Sequence, residues 1–85
     1  MSGRRYFNIR SKKEDRILTL VFVNNGGNAT FILQDKEKGE ITRLINPSSD
    51  TYHFEIEKDR SYSIEMTFSS CKGSYKLFIE KKDVS

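Results

Sequence analysis

The stretch TYHFEIE at residues 51–57 decides the reading of the chain. Successive side chains of an extended strand point to opposite faces, so Tyr52, Phe54 and Ile56 share one side while His53, Glu55 and Glu57 share the other. A helix, turning once in about 3.6 residues, would scatter those apolar groups round its circumference. After Lys58, Asp59 and Arg60 the same alternation returns over 61–69, with Tyr62, Ile64, Met66 and Phe68 inward and Ser63, Glu65, Thr67 and Ser69 outward. Two neighbouring half-buried strands of this kind predict a β protein whose aromatic residues line a shared dry interior.

The flanking sequence extends the pattern in both directions. Residues 16–24 place Leu18, Leu20 and Phe22 on one face and Ile17, Val21 and Val23 on the other, which predicts a central strand covered on both sides. Asn25, Gly26, Gly27 and Asn28 tolerate the positive φ of a tight turn, so residues 29–35 are expected to return as a hairpin beside 16–24. Lys36 to Gly39 form a second turn, and 40–46 a strand in which Ile41 and Ile45 compete with Thr42 and Leu44 for the buried face. Pro47, Ser48, Ser49 and Asp50 stop that strand, since proline lacks the N–H a ladder needs. Residues 5–10, with Phe7 and Ile9 expected in the core, read as an edge strand, and 74–81 close the chain with Tyr75, Leu77 and Ile79 on one face. Seven short runs at regular spacing predict a compact antiparallel β-sandwich of immunoglobulin-like or related topology, with a small OB-like barrel as the alternative.

An 85-residue chain has room for one domain and one core, so 1–85 is read as a single unit with frayed ends at 1–4 and 82–85. Its apolar share of 35% is low, but six Phe and four Tyr supply large flat surfaces that fill a thin two-layer interior. Cys71 stands alone, which forbids an intrachain disulfide and, with no apolar leader near the N-terminus, leans toward the cytoplasm; a segment cut from a longer protein would instead fit an extracellular setting. The longest apolar run, 17–23, is far short of the roughly 20 residues a membrane helix needs, so no membrane insertion is expected.

The same composition argues against an enzyme. His53 is the single histidine, and Cys71, expected in an exposed turn, has no base placed near it by the sequence. Gly26 and Gly27 lack the Lys-Ser/Thr pair and helix of a phosphate loop, and His53, Glu55 and Glu57 on a strand face read as a solvated surface before a metal site. No catalytic residue, cofactor or metal is assigned.

Charge is unevenly spread. Residues 1–16 hold six basic side chains against two acidic, whereas the whole chain carries only +3. Arg4, Arg5, Arg10, Lys12 and Lys13, interleaved with Tyr6 and Phe7, therefore form one candidate binding group, suited to phosphates and base stacking or to keeping an edge from aggregating. The second candidate is a polar face built from Ser63, Glu65 and Thr67 beside Lys76 and Phe78, if the last two strands pair. These surfaces point to a non-enzymatic recognition module for another macromolecule, first of all a protein, as a small regulatory or inhibitory protein or an accessory adhesion domain. Single-stranded nucleic acid and carbohydrate are the alternatives, and unpaired edges make a homodimer by strand pairing a further expectation.

Overall fold

The computed structural model describes residues 2–12, 14 and 16–81. Seven strands follow one another: β1 (Gly3–Arg10), β2 (Arg16–Asn24), β3 (Asn28–Asp35), β4 (Gly39–Ile45), β5 (Asp50–Ile56), β6 (Ser61–Ser69) and β7 (Gly73–Lys81). They form two antiparallel sheets, β1-β6-β3-β4 and β5-β2-β7, that stay separate. The molecule is a β-sandwich of four strands on three, and the barrel alternative is set aside. Gly3 and Arg4, expected in a frayed end, stand in β1 opposite Phe68 and Thr67.

Alternation places the core. Leu18, Leu20 and Phe22 of β2 face Ala29, Phe31 and Leu33 of β3 and Ile64, Met66 and Phe68 of β6, all of them buried. Tyr52 and Phe54 of β5, Leu44 of β4, and Tyr75 and Leu77 of β7 close its margins. In β4 the contest between faces goes to Thr42 and Leu44, which pair with the inward Leu33 and Phe31; Ile45, opposite the outward Thr30, and Ile41, left unpaired by a bulge opposite Leu33 and Gln34, are exposed.

The aromatic rings fix how the layers lie over each other. Phe22 meets Phe31 edge to face with centroids 4.9 Å apart, and Tyr75 stacks on Phe68 at 5.5 Å. Hence β2 lies over β3 and β7 over β6, and the sheet order then puts β5 over β4. β1, outside β6, has no strand of the second layer squarely above it.

Three expectations are corrected here. Residues 16–24 and 29–35 are not a hairpin: β2 and β3 belong to different sheets, and the glycine turn between them carries the chain across the core. Its backbone hydrogen bonds go to the β6–β7 connection instead, with Asn25 N donating to Lys72 O at 3.0 Å and Lys72 N donating to Gly26 O at 2.8 Å. Gly27, at φ 85°, presses so close that a Cβ there would sit 2.0 Å from Ser70 O. The second correction is that β6 and β7 do not pair; the turn at 70–72 also switches layers. Third, Phe7 faces inward beside Ile64 yet stays 39% exposed, because β1 overhangs.

Candidate functional site

The overhang is the most distinctive surface of the molecule. Arg5, Phe7 and Ile9 alternate along the inward face of β1 opposite Met66, Ile64 and Tyr62, and only Ile9 is buried. Packed sheets cross at an angle, which explains the gradient. β7 starts over β6 at Tyr75, and its far end approaches the end of β1, where Ile79 lines a recess of about 390 Å³ with Arg10, Ser11, Lys12 and Arg16. Between β7 and the ledge of β1 a wedge stays open above Arg5 and Phe7. Among the described residues β1 pairs only with β6 and β7 only with β2, so both strands turn an unpaired backbone edge to this side. Ile79, on the inward face of β7 opposite Leu18, is also 39% exposed.

The charge around the wedge is mostly positive. Arg16 and Lys81, cross-strand neighbours, share Glu14 at 3.4 and 4.0 Å. Arg10 donates to the neutral Ser61 Oγ at 3.0 Å, and Arg5 only grazes the Arg4 carbonyl at 3.5 Å. Among the described residues Arg5, Arg10 and Lys12 enter no ion pair. The connection at residues 11–12 is held by Ser11, which is buried, bonds Glu14 O through Oγ and accepts from Asp59 N at 2.7 Å.

The two candidate surfaces read from sequence fare differently. Of the basic group, Arg5 and Lys12 border the open side, while Arg10 touches the recess beside Ile79 but shares the outward phase of Arg4, its guanidinium bonded to Ser61 Oγ. Arg4 points to the opposite face of β1 and pairs with Glu65 at 3.2 Å, and Lys13 lies outside the described residues. The supposed polar face does not exist as one surface. Ser63, Glu65 and Thr67 stand on the outer face of the four-stranded sheet, Lys76 and Phe78 on the outer face of the other, a full sandwich thickness away. Ser63 is buried even there, because the larger Asn8 and Gln34 flank it in the same cross-strand row. Phe78 is half-buried, with the Lys76 ammonium 5.6 Å from its ring centroid.

The outer face of β5-β2-β7 holds a polar group that sequence reasoning missed. Thr19 sits in one row between His53 and Phe78 and is almost fully covered by them. Its hydroxyl donates to Glu80 Oε2 at 3.0 Å, leaving its lone pairs for His53 Nδ1 at 3.2 Å. Only strand order could have brought these three together.

On the side opposite the wedge, β4 and β5 frame a recess of about 420 Å³ whose charged lining is Asp35, Glu40, Glu55 and Glu57 against Lys38 and Arg60. Asp35 is its structural anchor. Oδ1 accepts from Glu37 N at 2.9 Å and Lys38 N at 3.3 Å, which shapes the β3–β4 turn, while Oδ2 accepts from Arg60 Nε at 2.8 Å. Arg60 Nη2 lies 2.6 Å from the same oxygen, but its N–H bonds are aimed elsewhere, so that contact is charge against charge. The Glu37 N–H chiefly, then Arg60 and the Lys38 N–H, hold the Asp35 carboxyl below its ordinary value against the opposing push of burial.

Cys71 was expected in an exposed turn and is instead buried in the core cluster, because its connection folds down onto the Gly27 turn. Its Sγ lies 3.8 Å from Asn24 Oδ1 and it forms no disulfide. Among the described residues no three His, Cys, Asp or Glu side chains gather as a metal site, and no helix is long and apolar enough to cross a membrane. The chain matches no protein-family model and no curated protein.

Proposed function

We propose that this chain is a non-enzymatic protein-recognition module, built on an immunoglobulin-related sandwich, that engages its partner through the open side between β1 and β7. The topology supports the relation: β2 pairs with β5 and β3 with β6, as the second strand pairs with the fifth and the third with the sixth in immunoglobulin-type domains. Here the first and last strands have exchanged sheets, β1 joining β6 and β7 joining β2.

The observation that carries the reading is the uncovered inward face of β1. A phenylalanine placed for a core yet 39% exposed, between two unpaired strand edges, offers a partner apolar contact and backbone hydrogen bonds together. The remaining edges are less inviting. β4 is bulged, and Asp50 at the start of β5 folds its carboxylate onto the following N–H, 2.7 Å away. For carbohydrate, the Phe78 ring already has Lys76 over it. For nucleic acid, Arg4 is engaged by Glu65 on the face where Tyr6 is exposed.

Photocrosslinking tests the reading. With p-benzoylphenylalanine in place of Phe7, exposure in lysate of the source organism should give an adduct that resists nuclease and is degraded by protease. The same group in place of Ile45, on the far edge, should give none. No adduct at position 7, or one destroyed by nuclease, overturns the proposal.

A further inference from the structure

The partner's chemistry can be read from what the wedge lacks. The three-stranded sheet is one strand short of covering the four-stranded one, and the missing place lies beside β7 above Arg5 and Phe7. A strand laid there would pair with the free edge of β7 and send alternate side chains down onto β1. Those pointing down meet the half-exposed Phe7 ring and, two residues along β1, the Arg5 guanidinium, which has no carboxylate partner among the described residues. At the narrow end the strand would run into Lys12, which has no carboxylate partner among the described residues, and into Lys81, whose Glu14 is shared with Arg16.

We infer that the open side is a docking site for an extended acidic segment of a partner protein, which adds as a further strand to β7 with an apolar side chain on Phe7 and carboxylates against Arg5 and Lys12. The inference rests on the protein-recognition reading and names the partner's chemistry. Complementarity of charge decides against a second copy of this chain as occupant. The surface that each copy would present is the same basic edge, and two such edges repel. It also decides against a neutral strand, which would leave these cations without the compensation that the rest of the molecule gives Arg4, Arg16, Arg43 and Arg60.

The test uses a fluorescein-labelled synthetic peptide in which Glu or Asp alternates with Val or Ile, followed by anisotropy on titration with the intact chain. Two control peptides carry lysine in place of every acid, or the same residues with the acids gathered in one block. The alternating acidic peptide should bind and the lysine peptide should not; the blocked peptide should bind more weakly, because it cannot present one apolar and one acidic face. Arg5→Glu with Lys12→Glu should weaken binding about tenfold or more, each reversal turning a weak attraction into repulsion. Lys36→Glu with Lys38→Glu, on the opposite side, should leave it within about twofold. Circular dichroism of both double variants checks the fold. Equal binding of the acidic and lysine peptides, indifference to the Arg5 and Lys12 reversals, or dimerisation of the unliganded chain in sedimentation overturns the inference. An acidic peptide that fails while the crosslink at position 7 still captures a protein refutes the partner chemistry alone; failure of both refutes the recognition reading as well.

Discussion

Phe7 and Phe31 both point inward from the four-stranded sheet, and the account gives them very different weight. Phe31 lies under β2, is 2% exposed, and meets Phe22 at 4.9 Å and Phe68 at 5.9 Å, edge to face in both cases. Truncation to alanine removes the ring from a closed interior and leaves a void, at a cost of about 3–5 kcal/mol. Phe7 has no strand above it and is 39% exposed, so Phe7→Ala loses only part of the roughly 1.5–3 kcal/mol of a fully buried ring and opens no sealed cavity: about 1–2 kcal/mol. A chain of 85 residues has about 4–13 kcal/mol in total, so Phe31→Ala should remove about a quarter or more of it while Phe7→Ala keeps most of it. The assay is urea denaturation followed by tyrosine fluorescence and far-ultraviolet circular dichroism, whose coincidence checks two-state behaviour. With a slope near 1 kcal/mol per molar urea, the midpoint should fall by about 3 M or more for Phe31→Ala and by about 1–2 M for Phe7→Ala. A Phe7→Ala variant as damaged as Phe31→Ala would mean that something covers β1 and would refute the overhang.

Other expected outcomes follow from the turns and the buried groups. Gly27→Ala should destabilise clearly more than Gly39→Ala in thermal melts: both have positive φ, but a Cβ at position 27 strikes the Ser70 backbone, whereas at position 39 it meets nothing within 4 Å. Equal losses would mean that the two connections do not touch. The folded-state value of Asp35 is depressed, so its stabilisation is complete above the unfolded value of about 3.9 and is lost as pH falls from there through the lower folded value. Asp35→Asn should therefore be less stable at neutral pH and show a shallower fall of Tm in acid; an unchanged acid slope would show that this carboxylate is not held by Glu37 N, Lys38 N and Arg60. Cys71, buried in the core, should react with a thiol reagent no faster than the chain opens, so urea should accelerate it sharply. Rapid reaction in the native state would contradict the burial of its turn.

Much of this was legible in the residues because alternation reports which side chains share a face. Tyr62, Ile64, Met66 and Phe68 are buried as their spacing implies, and the two-faced apolar run of β2 becomes the central strand of its sheet. What alternation does not report is whether a face has anything over it. Phe7 has the right phase and still lies open, and Ser63 has the outward phase and is hidden, because cover depends on neighbours far along the chain. The expected hairpin gives way to a crossing between sheets for a related reason. Asn25 to Asn28 do reverse the chain, but turn chemistry cannot distinguish a reversal within a sheet from a crossing between sheets, and the deciding contact comes from Ser70 to Lys72. The basic character of residues 4–12 was plain in sequence; that Arg5 and Lys12 border an unfilled strand position while Arg4 and Arg10 turn to the outer face follows only from strand order.

Amide hydrogen exchange by NMR, on the unliganded chain, addresses the unfilled strand position without any mutation. In an antiparallel edge strand alternate N–H groups point away from the single neighbour. β1 and β7 should each show alternating slow and fast amides, while β2, β3 and β6, flanked on both sides, are slow throughout. Adding the acidic peptide should slow the fast set of β7. Uniform protection along β7 before any peptide is added, or a fast set that the bound peptide leaves fast, would show that no strand's place stands open beside it.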